Sequence, residues 1–234
     1  MTADSSFGEP HDILRVATYN IHKGVQGVGP TRRLEIHNLA LAIETLDADI
    51  VCLQEVRQGN RKEASYFTGW PEQPQAEFLA PEGYEAVYRS NAVTKHGEHG
   101  NALLSRWPVI ECRHEDMSDH RFEQRGLLHV PVRWNGQLLH AVVVHFGLAH
   151  RSRVRQVQRL ADFLAVHVPA NELLVVAGDF NDWGEKLDAP MREFGLVRAG
   201  ALMDRAAQRL TFPSRVPVFA MDRIYTRGLV CRST

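Results

Sequence analysis

Four times in this chain a short apolar run stops at a residue suited to metal binding or hydrogen bonding. Asn20 follows Val16-Ala17-Thr18-Tyr19, and Glu55 follows Ile50 to Gln54. His145 follows Ala141 to Val144, and Asp179 follows Leu173 to Gly178, with Asn181 two residues on. A fifth polar residue, Asp222, stands within Met221-Asp222-Arg223-Ile224-Tyr225. Runs this short suit buried strands and are too short to span a membrane. Polar side chains at several strand ends can then converge on one rim, where a rigid scaffold carries loop-borne chemistry.

The stretches between these runs are read from their periodicity. Leu14 to Tyr19 is expected to be a strand, and Arg32 to Leu46 a helix whose Ile36, Leu39, Ala40, Ile43 and Leu46 form one stripe. Val56 to Gln75 and Arg89 to Gly100 are polar and are expected to be rim loops. Tyr84 to Tyr88 and Asn101 to Ser105 are expected strands. Leu127 to Trp134 and Gln137 to His145 flank Asn135-Gly136, a hairpin signal, because both residues accept the positive φ of a type I′ turn. Pro131 within the first of these strands implies an edge or a bulge. A helix is expected over Ser152 to His167, a buried strand over Leu173 to Ala177, a short helix over Lys186 to Phe194 and a last strand over Val218 to Tyr225. Many strands with few amphipathic helices indicate sheet layers covered by helices.

Composition narrows the function classes. Lys plus Arg total 27 and Asp plus Glu 28, a formal charge of −1, which argues against a globally basic nucleic-acid binder. Any polyanion must therefore be met at a local site, and a metal is the expected means. No repeat or linker divides the 234 residues, so one domain over 13–234 is expected after a polar tail, 1–12. Three cysteines, Cys52, Cys112 and Cys231, cannot all pair within the chain and form no zinc pattern; with no secretory signal at the N-terminus, a cytoplasmic location is expected.

Each polar residue alone has an ordinary structural reading. Asn20 suits a turn cap, Glu55 a solvated strand end, Asp179 and Asn181 an Asx turn, His145 a satisfied core histidine and Asp222 a partner for an arginine. Their joint occurrence is what shifts the balance. Thr18-Tyr19-Asn20-Ile21-His22, Leu53-Gln54-Glu55-Val56, His99-Gly100-Asn101-Ala102-Leu103-Leu104-Ser105-Arg106, Gly178-Asp179-Phe180-Asn181 and Met221-Asp222-Arg223-Ile224 occur in that order. This series resembles the endonuclease/exonuclease/phosphatase superfamily of metal-dependent phosphoesterases, from about Leu14 to Tyr225, and most resembles its small bacterial members.

The resemblance implies a four-layer α/β sandwich, two packed β-sheets with helices outside, as in the DNase I-like fold. It implies hydrolysis of a phosphodiester or phosphomonoester by in-line attack of water. Glu55 is the expected metal ligand, with Asn20 as a second ligand or its orienter. The ion is expected to be Mg²⁺, with Mn²⁺ as a substitute, because hard cations take carboxylate and amide oxygens. Asp179 is the expected base, its pKa lowered by the nearby cation. Asn181 would orient the water or donate to a phosphate oxygen, and His145 would donate to the phosphate. Asp222 in the family holds a catalytic histidine from a closing Ser-Asp-His motif. That motif is absent between Tyr225 and Thr234, so the chain is expected to stop short of it. Ser118-Asp119-His120 has the same residues ahead of the His145 strand, the wrong order in the chain, and is read as a coincidental loop.

For substrate contact the candidates are Asn101, His99 and Arg153. Arg153 lies in a basic group with His150, Arg151 and Arg155, which is either a solvated face or a phosphate-facing patch. Arg57, Arg61, Lys62, Tyr66, Trp70, Lys95, His96 and His99 interleave aromatic and basic side chains in the two polar loops. Such a surface stacks bases and holds phosphates, and equally suits a lipid headgroup. The expected partner is thus a phosphate ester, from nucleic acid, from a lipid headgroup or from an inositol or nucleotide phosphate, met by a monomer that does not insert in a membrane. A non-catalytic binding module that lost the closing histidine is the remaining alternative.

Overall fold

The computed structural model describes residues 13–200 and 221–232. In chain order the elements are β1 (Val16–Asn20), β2 (Val25–Gln26), β3 (Arg33–Leu34), α1 (Ile36–Leu46), β4 (Ile50–Val56), α2 (Arg61–Tyr66), α3 (Gln75–Leu79), β5 (Glu85–Thr94) and β6 (Gly97–Ser105). There follow β7 (Arg113–Asp116), β8 (Gly126–Trp134), β9 (Gln137–His145), α4 (His150–His167), β10 (Leu173–Asp179), α5 (Asp188–Glu193), β11 (Val197–Arg198) and β12 (Asp222–Arg227). The expected tail 1–12 and residues 218–220 of the expected last strand lie outside the described residues.

Two sheets carry the fold. One has the order β1-β4-β6-β5, the other β11-β12-β10-β9-β8-β7. Side chains alternate along each central strand, and both faces are apolar. Ile50 and Cys52 of β4 meet Val175 and Ala177 of β10 and Ala141 and Val143 of β9 between the sheets. The alternate residues face outward: Val51 and Leu53 toward α1 and α3, Val142, Val144, Leu174 and Val176 toward α4. The result is helix, sheet, sheet, helix, the expected four-layer sandwich. Burial of both faces is the reason these strands read as continuous apolar runs.

Several boundaries differ from the sequence reading for identifiable reasons. The helix begins at Ile36 rather than Arg32, because Arg33 and Leu34 pair with Gln26 and Val25 as a small ribbon. Val56 to Gln75 is not a bare loop: it holds α2, capped where the Asn60 side chain accepts the Glu63 N–H at 3.0 Å. Arg89 to Gly100 is not a loop either. β5 and β6 run on as a hairpin, with a register shift between Ser90 and Ala92 that the period-two pattern does not reveal. α4 starts two residues early, at His150.

The hairpin turn is as expected. Asn135 and Gly136 have φ of +48° and +76°, as a type I′ turn requires. Pro131 stands beyond the reach of β7, and its carbonyl accepts the Ile110 N–H on that side. Cys52 is buried, and burial pushes its thiol up to about 12. Among the described residues no helix is long and apolar enough to cross a membrane.

Candidate active site

The C-terminal ends of β1, β4, β9 and β10 bring the polar residues to one rim. Asn20 ends β1, Glu55 is near the end of β4, and His145 and Asp179 end β9 and β10 as register partners. Asn20 links the two sheets. Its Nδ2 donates to Asp179 Oδ2 at 3.2 Å and reaches Glu55 Oε1 at 3.5 Å. Its Oδ1 accepts the His22 backbone N–H at 3.1 Å. A backbone N–H can only donate, so this contact fixes which end of the amide faces the carboxylates. Asn20 thus turns its amide nitrogen to the two carboxylates.

Glu55 is aimed by a β-bulge. β4 and β6 pair Leu53 with Ala102 and Val56 with Gly100, so β4 carries one extra residue there. Glu55 takes φ +57°, a left-handed conformation that costs a non-glycine residue roughly 1 kcal/mol. The bend turns its carboxylate to the rim, where Lys23 Nζ lies 2.9 Å from Oε2. Burial alone would raise the Glu55 pKa; the Lys23 ammonium, with His145 and His22, overcomes this and holds it at about 2.

Asp179 is held from three sides. Its Oδ1 accepts the Asn181 N–H at 2.9 Å, its Oδ2 accepts from Asn20, and His145 Nε2 lies 3.8 Å from Oδ2. Burial raises its pKa against those hydrogen bonds and the charge of Arg125. Gly178 makes the approach possible: a Cβ there would meet the Val144 carbonyl oxygen at 1.9 Å, so only glycine lets β10 lie this close to β9 beside the two polar ends. Burial lowers the His145 pKa to about 3, assisted by the cation Arg125, so its imidazole is neutral at pH 7. Asn181 adopts φ +49°, and its Nδ2 donates to the Phe146 carbonyl at 2.9 Å. Asp222 is the cross-strand partner of Asp179 and half-buried, and its charge helps raise the Tyr19 pKa after burial.

The three substrate candidates fare differently. His99 on β6 is half-buried and lines a cavity with Arg125 beside the rim. Asn101 is fully buried between the sheets, donating to the Gly126 and Val143 carbonyls at 2.8 and 3.4 Å, and so is not presented at the rim. Arg153 turns inward, 5% exposed, and its guanidinium donates to the Gly147 and Leu148 carbonyls, fixing the loop after His145. The basic group around it divides further, since Arg155 binds Asp119 through Nε at 2.6 Å. Ser152 Oγ completes the hold on Asp119, which ties the Ser118-Asp119-His120 loop to α4 and agrees with its reading as coincidental. In the first polar segment the aromatic and basic side chains engage each other: Arg57 lies over Trp70, and Arg32 over Tyr66 and Phe67.

Two cations at the rim escaped the sequence reading. Lys23 follows Asn20 by three residues, in a turn where His22, Lys23 and Gly24 all have positive φ. The strand-end rule that selected Asn20 extends to it. Arg125 stands just before β8, and its Nε donates to the Phe146 carbonyl at 3.1 Å, the same carbonyl that Asn181 uses. Nothing in its local sequence marks it.

The two-sheet sandwich and a rim of carboxylates, amides and a neutral imidazole define a chain of the phosphoesterase type. It belongs to the endonuclease/exonuclease/phosphatase family, whose model matches residues 17–234. Members of that family are hydrolases and typically depend on a divalent metal. The chain is 37% identical over 222 residues to the protein named "uncharacterized protein YbhP" of Escherichia coli K12, covering 92% of this chain and 85% of that one. An endonuclease/exonuclease/phosphatase structure from Beutenbergia cavernae superposes with a TM-score of 0.69 at 22% identity, covering 92% of this chain. The chain spans 64% of that protein's length, under two thirds of it. The D. rerio TDP2 complexed with single-strand DNA product superposes with a TM-score of 0.61 at 17% identity, covering 94% of this chain and 84% of that one.

Proposed function

We propose that the chain hydrolyses phosphodiester bonds in nucleic acid or nucleotide esters, through water deprotonated by Asp179 and with a divalent cation held at Glu55. The observation that carries this is the shared amide of Asn20, which fixes the carboxylates of Glu55 and Asp179 on one rim. Among the described residues no three His, Cys, Asp or Glu side chains form a ready-made metal cage. Mg²⁺ characteristically uses one or two carboxylates and keeps several waters, so hard oxygen donors without a cage fit it. A bound divalent cation supplies charge neutralisation on the phosphate and the leaving oxygen.

The protein's own groups divide the remaining work. Asp179, raised by burial and held by the Asn181 N–H and Asn20, is a stronger base than an exposed carboxylate and takes the proton of the attacking water at Oδ2. His145, neutral, donates one N–H to the phosphate without adding a charge that would oppose Lys23. Arg125 and Lys23 add positive potential on either side of the rim. Asp222 opens β12 directly across from Asp179. In the D. rerio neighbour this fold accommodates a single-strand DNA product, which supports a nucleic-acid ester.

A substrate panel tests this reading: single-stranded and duplex DNA, RNA, nucleotide diesters, phospholipid vesicles and inositol phosphates, each with Mg²⁺ and with EDTA. Turnover of nucleic-acid or nucleotide esters that EDTA abolishes is the expected result. Turnover confined to phospholipid would overturn the substrate class, and binding without turnover of any ester would point to the non-catalytic module.

A further inference from the structure

A cavity of about 640 Å³ opens beside the rim, lined by Thr94, His99, Phe122, Gln124, Arg125 and Leu148 among others. It shares His99 and Arg125 with the surroundings of the candidate site. Its outer wall is unusual for a folded chain: Phe122 is 82% exposed and Leu148 62%. No core contact accounts for the Phe122 ring. Arg121 stacks on it instead, its guanidinium carbon 4.6 Å from the ring centroid. The wall is nevertheless fixed, because Glu123 accepts the Leu148 N–H at 3.0 Å and pairs with Arg125 at 3.1 Å. Arg125 in turn binds the Phe146 carbonyl, next to His145.

We propose that this cavity is a nucleobase subsite, in which a base flanking the scissile phosphate stacks on Phe122. This rests on the nucleic-acid reading above and extends it to a residue that selects the substrate. An exposed aromatic ring stacks any base, and neighbouring arginines hold the backbone phosphates. Arg121 lies beside the ring, and Arg125 lines the cavity while bonded to Phe146, Gln124 and Glu123. The polar groups of Thr94, Gln124 and Glu123 line the rest of the space and suit the edge of a base.

The test uses the full chain carrying Asp179→Asn, with Mg²⁺, and reads the anisotropy of a fluorescein-labelled oligothymidylate. Phe122→Ala should weaken binding roughly 5- to 150-fold, the range that removal of one stacked base implies. Phe122→Tyr should restore binding to within about twofold. Val28→Ala, which removes another exposed apolar side chain, should bind like the parent. In parallel, KM for a dinucleotide ester and for the ring-free diester glycerophosphoglycerol are compared in chains that retain Asp179. Phe122→Ala should raise KM more for the dinucleotide. Equal oligothymidylate binding by parent and Phe122→Ala overturns the subsite, as does a loss seen only on phosphatidylglycerol vesicles. The two claims separate: with no ester cleaved but binding still sensitive to Phe122, the subsite stands and the hydrolase reading falls. With nucleotide esters cleaved at the same KM by wild type and Phe122→Ala, the reverse holds.

Discussion

Lys23 Nζ sits 2.9 Å from Glu55 Oε2, so an ammonium of this chain pairs with the carboxylate assigned to the metal. A cation arriving at Glu55 must displace or share that contact. Lys23→Met should therefore lower the half-saturating Mg²⁺ concentration, by about fivefold if the ion pair is worth about 1 kcal/mol. Without metal the same variant should melt earlier, because half-buried Glu55 loses its partner, and Mg²⁺ should restore it. Thermal-shift titrations with Mg²⁺ check both effects, and unchanged half-saturation would show that Lys23 does not compete.

A second histidine system sits away from the rim. His129 Nε2 and His140 Nδ1 are 2.8 Å apart, and His140 Nε2 is bound to Glu172. Burial holds the His129 pKa at about 4, with His140, Glu111, His167 and Arg113 as its charged surroundings. The unfolded value is about 6.5, so the unfolded chain binds the extra proton between pH 6.5 and 4. The stability from neutral His129 is complete above pH 6.5 and falls as pH drops toward 4, by about 3 kcal/mol in all. Urea unfolding of His129→Gln across that range should start from a lower stability and show a shallower decline than wild type.

Behind the Asp179 turn lies a buried ion pair. Arg223 Nη1 is 2.8 Å from Asp182 Oδ2, and both side chains are almost fully buried. Asp182 also accepts the Leu187 N–H, so the pair fixes the segment that follows Asn181. Arg223→Met leaves a buried carboxylate uncompensated and should cost about 3 kcal/mol. It should also lower kcat more than it raises KM, because Asp179 and Asn181 lose their support while the outer cavity is untouched. Calorimetry with steady-state kinetics measures the two together.

Gly178→Ala is the strictest test of the β9–β10 approach. The added methyl has only 1.9 Å to the Val144 carbonyl, so the strands must separate where His145 faces Asp179. A loss of at least 2 kcal/mol and of most activity is expected. Wild-type stability in this variant would contradict the strand spacing described here.

The order of strand, polar residue and loop was legible because burial on both faces turns each central strand into an apolar run, as Ile50 to Leu53 and Leu173 to Ala177 illustrate. The same rule located Asn20, Glu55, His145 and Asp179 at one rim. What it could not convey was which way each side chain turns. Asn101 and Arg153 are polar and near the rim in sequence, yet tertiary carbonyls draw both inward. The bulge at Glu55 depends on the partner strand, which leaves no mark in residues 50–56. Arg125 reaches the rim through a loop, and the polar stretch Arg89 to Gly100 hides a hairpin, because solvent-facing strands and loops share one composition.

The central claim is that Glu55 and Asp179 act on one phosphate with a divalent cation. The direct measurement is the Mg²⁺-dependent hydrolysis rate of a nucleotide diester by wild type, Glu55→Gln and Asp179→Asn, each with and without EDTA, on proteins shown to be folded. Turnover by wild type that EDTA abolishes and losses of at least about 100-fold in each variant are expected. Hydrolysis that persists in both variants, or in wild type with EDTA, would contradict it.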